Sequence, residues 1–294
     1  MNRSIYNYRS PKPSKCRVNK KIIFSVLAVA VIIGLLVWLF FSKQDMPEVK
    51  EATTAPQNTV QAPPANSQPK LPDLQSVVDD FVANNSGTYA IKITDEQGNN
   101  LAVVNGDKPF FTASIYKLYV AYVGYQKIDD GTFSLDDPYL SGYTRGKCLD
   151  AMIRDSYSPC AEKMWPELGK EKLTTQLEGY GLTNTSLTGL TTSANDASII
   201  LRKIATGEGL SDASKNAYLD SMKTQDTKYR RGLPAGFNKA IVYNKVGWNL
   251  DQEWHDTAIV QLTNGQNVIV SVLTTGAGYQ NVAKLGTAIE KALQ

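Results

Sequence analysis

The sequence predicts an α+β fold: an antiparallel sheet flanked by N- and C-terminal helices, with an all-helical lobe inserted between its strands. Three observations predict it. Alternating apolar segments occur near residues 89–105 and return only at 241–273. The long stretch between them, from Ser114 to Met222, has mostly helical spacing. Tight-turn signals join neighbouring strands, which makes the sheet antiparallel rather than doubly wound.

Each element follows from its local pattern. Leu74 to Val82 has the spacing of a helix. Tyr89 to Thr94 and Leu101 to Asn105 alternate and are joined at Gln97-Gly98-Asn99, as in a hairpin. Ile115, Leu118, Tyr119, Tyr122 and Val123 mark one helix face, and Asp129-Asp130-Gly131 ends that helix. Strands are expected at Ile241–Gly247, Thr257–Thr263 and Asn267–Leu273. Asn264-Gly265 is a type I′ hairpin signal between the last two. A closing helix runs from about Gln280 to Leu293. The cleft between the two lobes is the natural place for a small ligand.

This folded part occupies residues 73–294, and what precedes it is of a different kind. Residues 1–21 carry Arg3, Arg9, Lys12, Lys15, Arg17, Lys20 and Lys21 with no acid, a charge of +7. The remaining 24 basic residues face all 28 acids, so the overall +3 conceals a mildly acidic body. A nucleic-acid binder would carry its positive charge on the folded part, so that class is excluded. Residues 22–41 are 20 consecutive positions without a charge, long enough at roughly 30 Å to cross a bilayer core. They end in the bulky Val37-Trp38-Leu39-Phe40-Phe41 rather than in a small-residue cleavage site. A transmembrane helix is therefore expected. The basic tail places the N-terminus in the cytoplasm and the C-terminal domain outside the cell membrane. Residues 42–72 hold six of the 13 prolines and read as a disordered linker.

Chemistry is constrained by scarcity. The single histidine, His255, and three cysteines, without a CxxC or HxxxH spacing, imply no metal site and no cofactor. A Ser-His-Asp triad would have to use His255. Ser114-Ile115-Tyr116-Lys117 is a Ser-x-x-Lys motif at the start of the predicted helix, which brings serine and lysine to one side. With 20 serines and 23 lysines, about 1.6 such motifs arise by chance, using random placement as the reference. The chain has two, but Ser67-Gln68-Pro69-Lys70 lies in the linker, so context decides. A lysine amine desolvated beside a hydroxyl can take its proton. The plain alternative is that Ser114 caps the helix and Lys117 is solvated. Ser158 before Pro159 reads as an ordinary cap, and Lys245 as an edge charge. Gly247 would let a substrate backbone approach its strand.

Ser114-x-x-Lys117, then Ser156-Tyr157-Ser158, then Lys245-Val246-Gly247 resemble, in order and distance, the three motifs of the serine β-lactamase and penicillin-binding superfamily. The class A β-lactamase-like branch is the most similar. Thr191-Thr192-Ser193 before Ile199–Ile204, Gly232–Phe237, and Leu168-Gly169 followed by Gly181-Leu182 extend the resemblance. The resemblance implies that Ser114 is the acylating nucleophile, Lys117 its base, Ser156 a proton shuttle and Lys245 the holder of a substrate carboxylate. Tyr157 stands as the alternative shuttle. The backbone N–H groups of Ser114 and Trp248 would form the oxyanion hole. Ser158 would donate to a substrate carbonyl.

The chain also departs from the pattern. Ser156-Tyr157-Ser158 lacks the usual Asp and Asn, and Val246 replaces a hydroxyl residue that would touch the substrate carboxylate. Gly181–Leu187 runs almost directly into Thr191-Thr192, with no Glu between Glu178 and Glu208, so the loop glutamate that activates the deacylating water is missing. Arg230 and Arg231 read as structural or solvated, with a reach to the substrate carboxylate as the alternative. His255 reads as a support for its strand rather than as a base. Cys148 and Cys160 flank Ser156 and form either a bridge or two free buried thiols. Cys16 is cytoplasmic and reduced.

The expected function is a membrane-anchored extracytoplasmic serine hydrolase that forms an acyl-enzyme with a small-molecule β-lactam or a cell-wall peptide and deacylates slowly. A D,D-carboxypeptidase or transpeptidase and a catalytically weak binding or sensor module are the alternatives.

Overall fold

The computed structural model describes residues 70–249 and 253–294. The basic tail, the expected membrane helix and nearly all of the linker lie outside the described residues. Among those described, no helix is long and apolar enough to cross a membrane.

Five antiparallel strands form the main sheet. They are β1 (Thr88–Asp95), β2 (Asn100–Val104), β7 (Ile241–Trp248), β8 (Trp254–Gln261) and β9 (Asn267–Thr275), in the spatial order β2-β1-β9-β8-β7. Two two-stranded ribbons complete the strand set among the described residues. Short β3 (Phe110–Phe111) pairs with β6 (Thr191–Thr192), and β4 (Pro138–Leu140) pairs with β5 (Tyr143–Thr144). The first long strand thus pairs with the last, from Thr88 opposite Thr275 to Asp95 opposite Val268.

Period-2 alternation divides the sheet between two cores. Val268, Val270 and Val272 of β9 and Ala258 and Val260 of β8 join one apolar cluster with α1 (Gln75–Asn84) and α9 (Tyr279–Ala292). Ile269 and Ile259 point the other way, into the core of the helical lobe. That lobe contains α2 (Tyr116–Asp129), α3 (Arg145–Arg154), α4 (Ser158–Leu168), α5 (Lys170–Gly179), α6 (Ala194–Thr206) and α7 (Asp212–Lys223). The short α8 (Leu233–Gly236) packs on α9, where a Cβ at Gly236 would lie 2.2 Å from the Ala283 carbonyl oxygen.

Two local expectations differ from what forms. α2 does not present one apolar face, because Tyr116 to Tyr125 are all buried and the helix runs through the middle of the lobe. Lys117 is therefore enclosed rather than solvated. The β8–β9 hairpin is not a two-residue type I′ turn, which needs φ above zero at both central residues. Asn264 stays outside that region and only Gly265 enters it, at φ 84°. The Gly265 N–H bonds to Leu262 O at 2.9 Å and the Leu262 N–H to Gln266 O at 2.8 Å, a longer loop closed by a glycine bulge.

Cys148 of α3 and Cys160 of α4 form a disulfide, with Cα atoms 5.2 Å apart and both side chains fully buried. The covalent link closes a short loop around Ser156. Replacing both cysteines by serine is expected to lower the unfolding free energy by about 3 kcal/mol, read by urea denaturation under non-reducing conditions.

Candidate active site

Ser114 sits in a 3₁₀ turn, Ala113–Ile115, that joins β3 to α2. The entry to the turn is forced. The Thr112 N–H is held by Leu190 O at 2.8 Å, and Ala113 takes a left-handed φ of 43°, which non-glycine residues rarely adopt. Ser114 is half-buried at the turn, and Lys117 follows in the first turn of α2 with 1% of its surface exposed.

Around the Lys117 ammonium lie four oxygens. Its Nζ is 3.2 Å from Ser114 Oγ, 2.6 Å from Ser156 O, 3.3 Å from Ser156 Oγ and 3.0 Å from Ser158 Oγ. Ser156 lies between α3 and α4 in another left-handed conformation, φ 51°, the kind of local strain that gathers at functional sites. The Asp155 and Tyr157 N–H groups both bond to Ala151 O at 3.0 Å, and the disulfide closes the loop from outside. This bend aims the Ser156 carbonyl and hydroxyl at the lysines. Lys245, fully buried on β7, donates to Ser156 Oγ at 2.9 Å and to Val246 O at 2.7 Å.

The electrostatics follow from burial. Desolvation lowers the Lys117 amine to about 8, against a smaller upward pull from Glu162. Lys245 is pushed well below its ordinary value, first by burial and then by the charge of Lys117. Among the described residues, neither lysine pairs with a carboxylate within 4.0 Å. A neutral Lys117 amine at 3.2 Å can accept the Ser114 proton, and Ser156 Oγ stands between the two amines to pass a proton on.

Behind Lys245 the packing is polar and closed. Asn244 Nδ2 donates to Asp256 Oδ1 at 2.9 Å, and the Leu233 N–H donates to Asp256 Oδ2 at 2.8 Å. Burial raises the Asp256 carboxyl above its ordinary range. Gly232 lets that carboxylate approach, since a Cβ there would lie 2.3 Å from Asp256 Oδ2.

The residues singled out from sequence converge unevenly. Ser114, Lys117, Ser156, Ser158 and Lys245 form one connected set. Ser158 is not a helix cap: α4 begins at Ser158 itself, and its hydroxyl accepts from Lys117. Gly247 serves a different close approach from the one expected. A Cβ on it would lie 2.9 Å from both Thr112 O and Ile115 Cγ1, so the turn that carries Ser114 fills the space expected for a substrate backbone. Trp248 ends β7, 40% exposed, with its ring edge-on to Trp254 at 5.1 Å. Tyr157 points outward and stacks on Tyr143 at 5.3 Å, so Ser156, not Tyr157, lies between the lysines. Val246 is fully buried in the cluster beneath the sheet and offers a substrate no surface.

The arginines are structural. Arg230 donates to Val242 O at 3.1 Å and to Asn244 Oδ1 at 3.3 Å, while Arg231 lies over the Tyr279 ring at 4.0 Å. His255 is no base. Its Nε2 donates to Phe111 O at 2.7 Å and its Nδ1 accepts the Thr274 N–H at 3.0 Å, so both nitrogens are occupied. Burial lowers the imidazole to about 4, and the ring braces β3, the strand that leads into Ser114.

The segment before β6 is short and tightly held. Asn184 N–H and Thr185 Oγ1 both donate to Asp196 Oδ2, at 2.8 and 2.7 Å, and Ser186 and Thr191 exchange two backbone bonds of 3.0 Å. Asn244 and Glu162 escaped the sequence reading. Asn244 had a readable signal, a polar residue between the apolar Val242 and Val246 of the edge strand β7. Glu162 had another, its place one helical turn after Ser158.

A serine within hydrogen-bond reach of a buried lysine, set where a helical lobe meets an antiparallel sheet, defines the class: a β-lactamase-like serine hydrolase fold. The chain belongs to the β-lactamase enzyme family, whose model matches residues 73–293. Solved structures agree on the fold. PBP-A is 22% identical with a TM-score of 0.67, over 76% of this chain and 98% of its own. The ancestral class A β-lactamase reconstructed for Gram-negative bacteria is 20% identical with a TM-score of 0.68, over 74% and 99%. A β-lactamase from Chitinophaga pinensis is 18% identical with a TM-score of 0.66, over 74% and 98%. Among proteins of curated function, none matches in sequence.

Two outcomes follow from the packing around Ser114. Gly247→Ala is expected to cost about 1–3 kcal/mol, measured by urea denaturation, because the new Cβ has only the Ser114 turn to displace. His255 remains neutral in the fold down to about pH 4, whereas an unfolded chain protonates it near 6.5. The unfolded state binds the extra proton in that window, so stability falls as pH falls from about 6.5 to about 4. The stability difference between wild type and His255→Gln should therefore shrink by about 3 kcal/mol between pH 7 and pH 4.

Proposed function

We propose that this protein is a membrane-anchored extracytoplasmic serine hydrolase that acylates Ser114 with β-lactams or related amides and releases the acyl group slowly. The observation that carries the reading is the buried Lys117 amine, 3.2 Å from Ser114 Oγ and lowered to about 8. At neutral pH an appreciable fraction of such an amine is unprotonated and able to act as a base.

In this reading Lys117 takes the Ser114 proton as Oγ attacks the substrate carbonyl. The proton then moves through Ser156 Oγ to the leaving nitrogen. Lys245, charged when a substrate carboxylate faces it, orients that carboxylate and favours a neutral Lys117. The backbone N–H groups of Ser114 and Trp248 receive the oxyanion. Support for this last role is the packing of β7 on the nucleophile turn at Gly247. A penicillin G acyl-enzyme complex of a PBP-A mutant is the relative's precedent for the substrate class. Slow release follows from the short, carboxylate-locked segment before β6. The uncharged stretch 22–41 supports the anchor, and the basic residues before it support the topology.

Full-length protein incubated with a labelled penicillin should gain a stable adduct on the Ser114 peptide, seen by mass spectrometry. Ser114→Ala should gain none, and Lys117→Ala should form it at least about 100-fold more slowly. Turnover on the order of 10 s⁻¹ or above would contradict slow release. Absence of any adduct would replace the hydrolase with a binding module. Protease added to intact cells should digest the C-terminal domain, and its protection would contradict the topology.

A further inference from the structure

We propose that Glu162 is the general base that activates the deacylating water, an inference that rests on the acyl-enzyme reading of Ser114. Residues 179–190, before β6, hold no acid, and Asp196 just after β6 is buried and bonded to Asn184 and Thr185. Asp256 is sealed behind Lys245, with both oxygens occupied by Asn244 and Leu233. Glu167 is bound to Arg145.

Glu162 is placed differently. Ser158, Glu162 and Trp165 fall at i, i+4 and i+7 of α4 and so share one stripe of that helix. Both ends of the stripe touch the residues that follow Ser114. Ser158 Oγ lies 3.0 Å from Lys117 Nζ, and the Trp165 ring lies 5.2 Å from the Tyr116 ring. The carboxylate between them is exposed to solvent, with no ion pair among the described residues. Its charge acts on both Tyr116 and Lys117. It stands one helical turn from Ser158, about 5–6 Å between Cβ atoms, on the stripe of the helix that faces the residues following Ser114.

The step balances without a further reactant. Glu162 takes one proton from the water as its oxygen bonds to the acyl carbon. The tetrahedral intermediate collapses, the bond from that carbon to Ser114 Oγ breaks, and the acid leaves. The proton held by Glu162 passes through a bridging water to Lys117 Nζ and on to Ser114 Oγ, which restores the resting site.

The test uses full-length wild type, Glu162→Gln and Glu162→Asp with labelled penicillin G, following growth and decay of the Ser114 adduct by intact mass. Glu162→Gln should acylate within about threefold of wild type and hold the adduct at least about tenfold longer, with Glu162→Asp between the two. Equal lifetimes with normal acylation would overturn the role of Glu162 and leave the acyl-enzyme reading standing. Slowed acylation with an unchanged lifetime would assign Glu162 to positioning Lys117 and would also overturn it. A wild type that forms no adduct would overturn the acyl-enzyme reading and this inference with it.

Discussion

Two lysine amines are buried around one serine hydroxyl, and most of the site exists to make that arrangement tolerable. Burying a cation is costly unless oxygen atoms replace its water. Lys117 and Lys245 receive those oxygens from Ser156, Ser158, Ser114 and the Val246 carbonyl rather than from carboxylates. Burial holds both amines below their ordinary basicity, and at Lys245 the charge of Lys117 adds to it. A carboxylate in direct contact would stabilise the ammonium and remove the base. Proton-accepting power at Lys117 thus depends on solvating it with neutral oxygens.

The supporting structure fixes those oxygens in place. Ser156 and Ala113 occupy left-handed conformations, which persist only where the surroundings over-determine them. At Ser156 the surroundings are the two bonds to Ala151 O and the covalent link between α3 and α4. At Ala113 they are the Thr112–Leu190 bond, the His255 brace on Phe111 and the close passage of β7 at Gly247. The lone histidine therefore contributes rigidity where a reader of hydrolase sequences would first look for a base.

Much of this was legible in the sequence. The five-strand sheet and its inserted helical lobe followed from period-2 segments separated by helical spacing, with ends wrong by only a few residues. Ser114, Lys117, Ser156 and Lys245 were readable as spaced motifs. Side-chain direction was not. Whether Val246 faces the cleft or the core, and whether Gly247 yields space to a ligand or to Ile115, depends on which layer packs on each side of β7. The Asn244–Asp256–Leu233 set was invisible for the same reason, since its partners are far apart in the chain. The apolar face read for α2 would ordinarily leave Lys117 in water, but packing on all sides from Tyr116 to Tyr125 encloses it.

The order of strands in the sheet has a consequence for when the site comes into being. β1 is flanked by β2 and by β9, so its second partner is supplied by residues 267–275 of a 294-residue chain. Lys245 rides on β7, whose place in the sheet is reached only through β8 and β9. Pairings across so many residues carry a large loop-closure cost and fold slowly. A growing chain carries Ser114 and Lys117 long before it carries the strand that delivers Lys245. The site around Ser114 and Lys117 therefore stays incomplete until β7, β8 and β9 have been made and paired.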